Sequence, residues 1–373
     1  MRLRVPQTLL FGPGCLADVP ALLRELGAER PLVVTDPGVA AAGHAERLLT
    51  ALRTAGIEAQ AWDGVAPDPD VGHAERCAER IAAGEHASVI ALGGGSVIDA
   101  AKVAAVLATN GGKTSDYFGF DRVKRPGLPL LTVPTTPGSG AEVSSHAVIL
   151  QLAPRKKEVV AGLHLLPRAA VVDPDLTATL PPEPTTWSAL DGFIHALEAY
   201  LARRATLFTD TYARMAVPSI ARALPRVLAD GSDHEAREQL ALGCLYSGLA
   251  MANANAGAIH ALGYPLTSRY GIPHGLANAL VAAATLERIA PGRPERCAEL
   301  AGLLEDESED LAGCVRRLLE NLGVNGGLAA RGVRQEDLPE LAEAATHFRP
   351  VLENTPVVLG EGDLLAIYET AWP

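Results

Sequence analysis

The chain has 373 residues, long enough for two domains that each bury a substantial core. Apolar residues make up 48% and charged residues 20%, a globular balance that speaks against disorder. The formal net charge of −12 speaks against the basic face that nucleic-acid binding needs, and no run reaches the roughly 18 uncharged apolar residues of a membrane helix.

The opening MRLRVPQTLLFGPG carries two arginines but neither the apolar core nor the cleavage site of a signal peptide. Five cysteines (Cys15, Cys77, Cys244, Cys297, Cys314) are scattered without a CxxC pair, which predicts reduced thiols in a cytoplasmic protein. PLVVTD (31–36) reads as a short buried strand, and AERLLTALRTAGI as the helix after it, ending at Gly56. ASVIALGGGS (87–96) repeats the strand-then-turn theme, followed by the helix VIDAAKVAAVLATNGG. LPLLTVPTT (128–136) and RAAVVDPDL (168–176) are the third and fourth strands, the last stopped at Asp173-Pro174. Val-, Ile- and Leu-rich strands alternating with helices predict a parallel sheet covered on both faces.

After the proline cluster at 181–184 the pattern is helical to the end. That predicts a boundary there, with an α/β domain over 1–180 and an all-helical domain over 181–373. HEAREQLALGCLYSGLAMANANAGAIHAL reads as one apolar helix that Pro265 should terminate. No repeat of 20–50 residues and no low-complexity segment is present.

Three loops follow predicted strands, where open parallel sheets bind ligands. Gly93, Gly94, Gly95 and Ser96 form a turn whose bare backbone can approach a phosphate at a helix N-terminus, or simply pack tightly. Asp36 stands where a carboxylate would accept from an adenosine 2′-OH and repel a 2′-phosphate, favouring NAD over NADP. Its other reading is an Asp-Pro-Gly turn. PTTPGSGAEVSS (134–145) offers the hydroxyls of Thr135, Thr136 and Ser139 to a pyrophosphate or ribose.

LDGFIHALEAY places Asp191 and His195 four apart, on one face of a helix. His260 lies near a helix end, and His274 follows Pro273 at the start of another. A carboxylate and three imidazoles suit Fe(II) or Zn(II) and not calcium; each residue also has an ordinary structural reading, as a surface pair or a core histidine. His44, His73, His86, His164, His234 and His347 lie in polar settings and read as surface residues, and His146 is ambiguous.

These motifs resemble those of the iron-containing (group III) alcohol dehydrogenases, in the superfamily that includes dehydroquinate synthase. The resemblance rests on GGGSVIDAAK (93–102), PTTPGSGAEVS (134–144), DPDLTATLPP (173–182), DGFIHALEAY (191–200), HALGYPLTSRYGIPHGLANA (260–279) and, in style, the C-terminal RPVLENTPVVLGEGDLLAIYETAW. It implies an N-terminal Rossmann-like NAD-binding domain, a C-terminal helical metal-binding domain, an active site in the cleft and a homodimer or larger homo-oligomer. It also implies metal ligands at Asp191, His195, His260 and His274. Cofactor contacts are implied at Asp36, the glycine turn, Asp99, Thr135, Thr136, Ser139, Lys157 and, in DPDLTATLPP, Leu176.

The chain departs from the family pattern at Ala141 and Ser188, and at Tyr264, where many members carry histidine. The implied reaction is reversible hydride transfer between a primary alcohol or aldehyde and the nicotinamide, with the metal as Lewis acid. Tyr264 is expected to shape the pocket. The alternatives are a reductase of the maleylacetate type and a dehydroquinate-synthase-like lyase; the absence of any lysine after Lys157 counts against the second.

Overall fold

The computed structural model describes residues 3–153, 155–305, 308 and 310–373. The chain forms two compact units, Arg4–Pro181 and Pro182–Pro373, the second joined by Leu3.

Among the described residues the first unit holds nine strands: β1 (Thr8–Phe11), β2 (Pro31–Val34), β3 (Gln60–Trp62), β4 (Ser88–Gly93), β5 (Gly119–Phe120), β6 (Leu130–Pro134), β7 (His146–Leu152), β8 (Arg155–Ala161) and β9 (Ala169–Val172). Its helices are α1 (Val19–Glu25), α2 (Pro37–Ala41), α3 (His44–Thr54), α4 (Val71–Ala83) and α5 (Gly95–Asn110). Six strands form an all-parallel sheet in the order β1-β9-β6-β4-β2-β3. Strands β2, β4, β6 and β9 are buried along their whole length, which is why they read as continuous apolar runs. Residues alternating along these strands feed two separate cores: Val33, Ile90, Leu92 and Leu131 face α1 and α3, while Leu32, Val34, Val89 and Ala91 face α4 and α5.

Two features of this unit escape the sequence pattern. The short edge strands β1 and β3, of four and three residues, are half-exposed or exposed and too short to stand out from the sequence pattern. The pair β7–β8 is antiparallel, in a separate three-stranded sheet β5-β8-β7.

The second unit is helical throughout its described residues: α6 (Pro182–Leu201), α7 (Leu207–Ala229), α8 (His234–Ala254), α9 (Ala258–Tyr270), α10 (His274–Ile289), α11 (Pro294–Leu304), α12 (Leu311–Asn321), α13 (Leu338–Ala345), α14 (Arg349–Leu352) and α15 (Glu361–Ala371). From Ala189 to Leu201, α6 is buried on every side, the mark of a central helix.

The expected long helix is in fact two. It breaks after Ala254 at Asn255, whose φ is +69°, and the side-chain amide of Asn354 donates to the carbonyls of Ala254, Asn255 and Ala256. Pro265 does not end α9 but lies inside it. The proline forfeits a single backbone bond, and in the same turn the Tyr368 hydroxyl donates to the Leu262 carbonyl at 2.6 Å. Among the described residues no helix is long and apolar enough to cross a membrane.

Candidate functional site

In the second unit, α6, α9 and α10 bring Asp191, His195, His260 and His274 together. Asp191 Oδ2 lies 3.9 Å from His195 Nδ1, and Oδ1 lies 3.4 Å from His260 Nε2 and 3.7 Å from His274 Nε2. The rings of His195 and His260 stack at 4.5 Å, and His274 stands edge-on to His260 at 5.4 Å. Ligand atoms of Asp191, His195 and His260 all fall within 4.8 Å of one another, close enough for one ion.

The helices reach this proximity because of two glycines. A Cβ on Gly275 would stand 1.8 Å from the Trp187 carbonyl of α6, and one on Gly263 would stand 1.9 Å from Asn278 Oδ1. Only a bare backbone lets α10 come this close to α6 and α9.

Two further residues complete the cluster, and sequence reading passes over both. Glu198, buried on α6, takes His260 Nδ1 on one oxygen at 2.5 Å and the Ile259 backbone N–H on the other at 2.7 Å. That bond fixes the ring so that Nε2 faces Asp191. Asn278, one turn after His274, donates to Asp191 Oδ1 at 3.0 Å. Glu198 stands seven residues after Asp191 and three after His195, on the same helical face, which is the signal that could have found it.

Burial alone would raise the Asp191 carboxyl, but the His195, His274 and His260 imidazoles outweigh it and hold it far below the usual range. Burial would likewise lower His260, yet the Glu198 and Asp191 carboxylates prevail and raise it to about 10. Nevertheless the buried His260 Nε2 makes no hydrogen bond in the protein. An orphaned nitrogen aimed at a carboxylate, among two more imidazoles, is the donor set that a divalent iron or zinc ion would satisfy.

Tyr264 closes one side of the cluster, stacked on His274 at 5.3 Å and 12°. Arg269 is paired with Asp337 and Glu340 on the protein itself.

In the first unit a cavity of about 900 Å³ opens at the C-terminal ends of β2, β3, β4, β6 and β9. Of the residues singled out from sequence, Asp36, Gly94, Gly95, Ser96, Thr135, Thr136 and Leu176 line it. Asp36 also caps α2, its Oδ1 accepting from Val39 N at 3.0 Å. Gly94 is the N-cap of the 16-residue α5, so unpaired N–H groups of the first turn are presented there.

The other four stand behind the lining. Gly93 ends β4, and Ser139 packs on Gly95. Asp99 is half-buried on α5 and accepts from Val148 N at 2.9 Å. Lys157 binds Asp68 at 2.8 Å, next to the lining Pro67. His44 corrects its surface reading: it is buried, lines the cavity and bonds Thr179 Oγ1 at 2.9 Å. Its polar sequence neighbours face the other side of α3.

The profile described as iron-containing alcohol dehydrogenase matches residues 6–174, and that of the Fe-containing alcohol dehydrogenase family, C-terminal, matches residues 185–372. The chain belongs to the iron-containing alcohol dehydrogenase family. Within it, long-chain-alcohol dehydrogenase 1 of Geobacillus thermodenitrificans is 33% identical, over 100% of this chain and 96% of the relative. The crystal structure of a 1,3-propanediol oxidoreductase superposes with a TM-score of 0.96 at 31% identity, covering 100% of this chain and 99% of the other. Sulfoacetaldehyde reductase from Bifidobacterium kashiwanohense, solved in complex with NAD+, gives 0.90 at 28% identity and covers 99% and 98%.

Proposed function

We propose that this member of the family is a metal-dependent, NAD-linked alcohol dehydrogenase and aldehyde reductase. On this reading Asp191, His195, His260 and His274 hold iron(II), with zinc(II) the alternative. The orphaned His260 Nε2 beside Asp191 is the observation that carries it. When bound, the metal supplies a Lewis acid for the alcohol or aldehyde oxygen and the nicotinamide supplies a hydride acceptor or donor.

The chain's own residues have distinct tasks. Glu198 keeps His260 turned toward the site, and Asn278 orients Asp191. The tightly packed α6, α9 and α10 hold all four donors in place before anything binds, so little ordering remains for the binding step.

The cavity of the first unit takes the dinucleotide. Gly94, Gly95 and Ser96 at the N-terminus of α5, with Thr135 and Thr136, would hold its pyrophosphate. The Asp36 carboxylate accepts from the adenosine ribose and repels a 2′-phosphate, which favours NAD over NADP. Gly93, Asp99, Ser139 and Lys157 serve the cofactor by supporting the lining, and Leu176 contributes an apolar wall. A cytoplasmic homodimer completes the reading, supported by five free cysteines and the family resemblance.

The test is removal of metal with a chelator, followed by addition of Fe(II) or Zn(II), with NADH followed by its absorbance. Turnover should vanish on chelation and return with metal. Full activity in metal-free protein would sink the metal reading and favour a metal-independent reductase. Turnover without net NADH would favour the lyase.

A further inference from the structure

The four clustered residues are unequally covered. Side-chain exposure is 27% for His274, against 10% for Asp191, 7% for His195 and 2% for His260. A substrate therefore reaches the cluster past His274. Beside His274 lies the Tyr264 ring, nearly parallel to it, and the Phe348 ring lies 4.6 Å from Tyr264 at 37°. Tyr264 thus has a ring partner in both His274 and Phe348, and it cannot turn without leaving one of them.

Phe348 comes from a different part of the chain, the link between α13 and α14. Its backbone N–H is fixed to the Ala345 carbonyl at 3.2 Å, and its own carbonyl accepts from Val351 and Leu352. Both rings are half-buried, so each keeps part of its surface exposed beside the cluster.

We propose that Tyr264 and Phe348 form a rigid aromatic ledge that sets the substrate range. The ledge admits straight-chain primary alcohols and their aldehydes and turns away those with a ring or branch next to the reacting carbon. This rests on the metal and hydride reading of the same cluster. A wall of locked rings discriminates by bulk because it does not yield. One misplaced methylene against such a wall changes selectivity by about tenfold or more.

The test uses protein loaded with metal and NAD, and compares benzyl alcohol with 1-propanol by two readouts: the ratio of kcat/KM and the ratio of Kd from calorimetry. In Phe348→Ala both ratios should move toward benzyl alcohol by about tenfold or more, with metal content unchanged. Tyr264→Ala should move them the same way. Tyr264→Phe, which keeps the ring, should leave them within about twofold. Phe348→Leu, which keeps apolar volume without a ring, should give an intermediate shift and serves if the alanine variant does not fold.

If wild type turns over alcohols and both ratios stay within about twofold in Phe348→Ala and Tyr264→Ala, the ledge is overturned and the reading of the cluster stands. If wild type turns over neither alcohol but the Kd ratio shifts, the reading fails and the ledge stands. If wild type neither binds nor turns over any alcohol, both fail.

Discussion

The two candidate sites are built on opposite plans. The cluster in the helical unit is made of side chains: four donors, two orienting residues, and glycines whose only task is to let helices close in. The cavity in the α/β unit is set by chain path, lined by residues in and after the turns at the ends of five parallel strands, glycines among them. Side-chain sites depend on the identity of a few residues and fail sharply when one is changed. Backbone sites depend on chain path, tolerate most side-chain changes and take their selectivity from one or two charged positions.

The sharpest way to probe that contrast is Glu198→Gln. It keeps the size of a residue that touches no substrate but weakens its grip on His260. Iron or zinc affinity, measured by competition with a chelator, should fall about 10–100-fold while the circular dichroism spectrum holds. Unchanged affinity would mean that the cluster does not need its orienting carboxylate.

In the other unit, Asp36→Ser keeps an N-cap for α2 while removing the charge. The kcat/KM for NADP relative to NAD should rise by about tenfold, with NAD turnover reduced only modestly. An unchanged ratio would assign the carboxylate to capping alone.

A third probe concerns a buried titratable group rather than either site. Burial raises the Glu142 carboxyl from 4.5 to about 7, partly offset by Lys102. The folded protein therefore keeps this proton where the unfolded chain has lost it. The group's contribution is full below pH 4.5 and is lost as pH rises through about 7. Relative to Glu142→Gln, wild type should lose stability across that window by up to about 1.4 kcal/mol per pH unit, read from denaturant midpoints. A flat difference would mean that the carboxyl does not titrate there.

The difference in plan also explains what was legible in the sequence. Asp191 and His195 could be seen because their spacing puts them on one helical face, and the glycine turn because it follows an apolar run. Asn278 could not, since a lone amide on an apolar helix has many ordinary uses; Glu198, on the same helical face as Asp191 and His195, was legible but passed over. The break at Asn255 and the survival of α9 through Pro265 depend on Asn354 and Tyr368, roughly a hundred residues away, which no local pattern reports. His44 read as exposed because its neighbours are polar, whereas its own side chain is drawn inward by Thr179. The antiparallel pair β7–β8 was hidden by the charged run that begins β8.

The clasp at the α8–α9 break has a consequence for how the chain matures. All four clustered donors have been synthesised by residue 274, yet the bend that aims His260 is held by the amide of Asn354, and the turn after it by the Tyr368 hydroxyl. During translation the donors therefore emerge well before the latch that sets their geometry. The chain thus carries its donors and their orienting Glu198 before it carries the residues that clasp the backbone around His260.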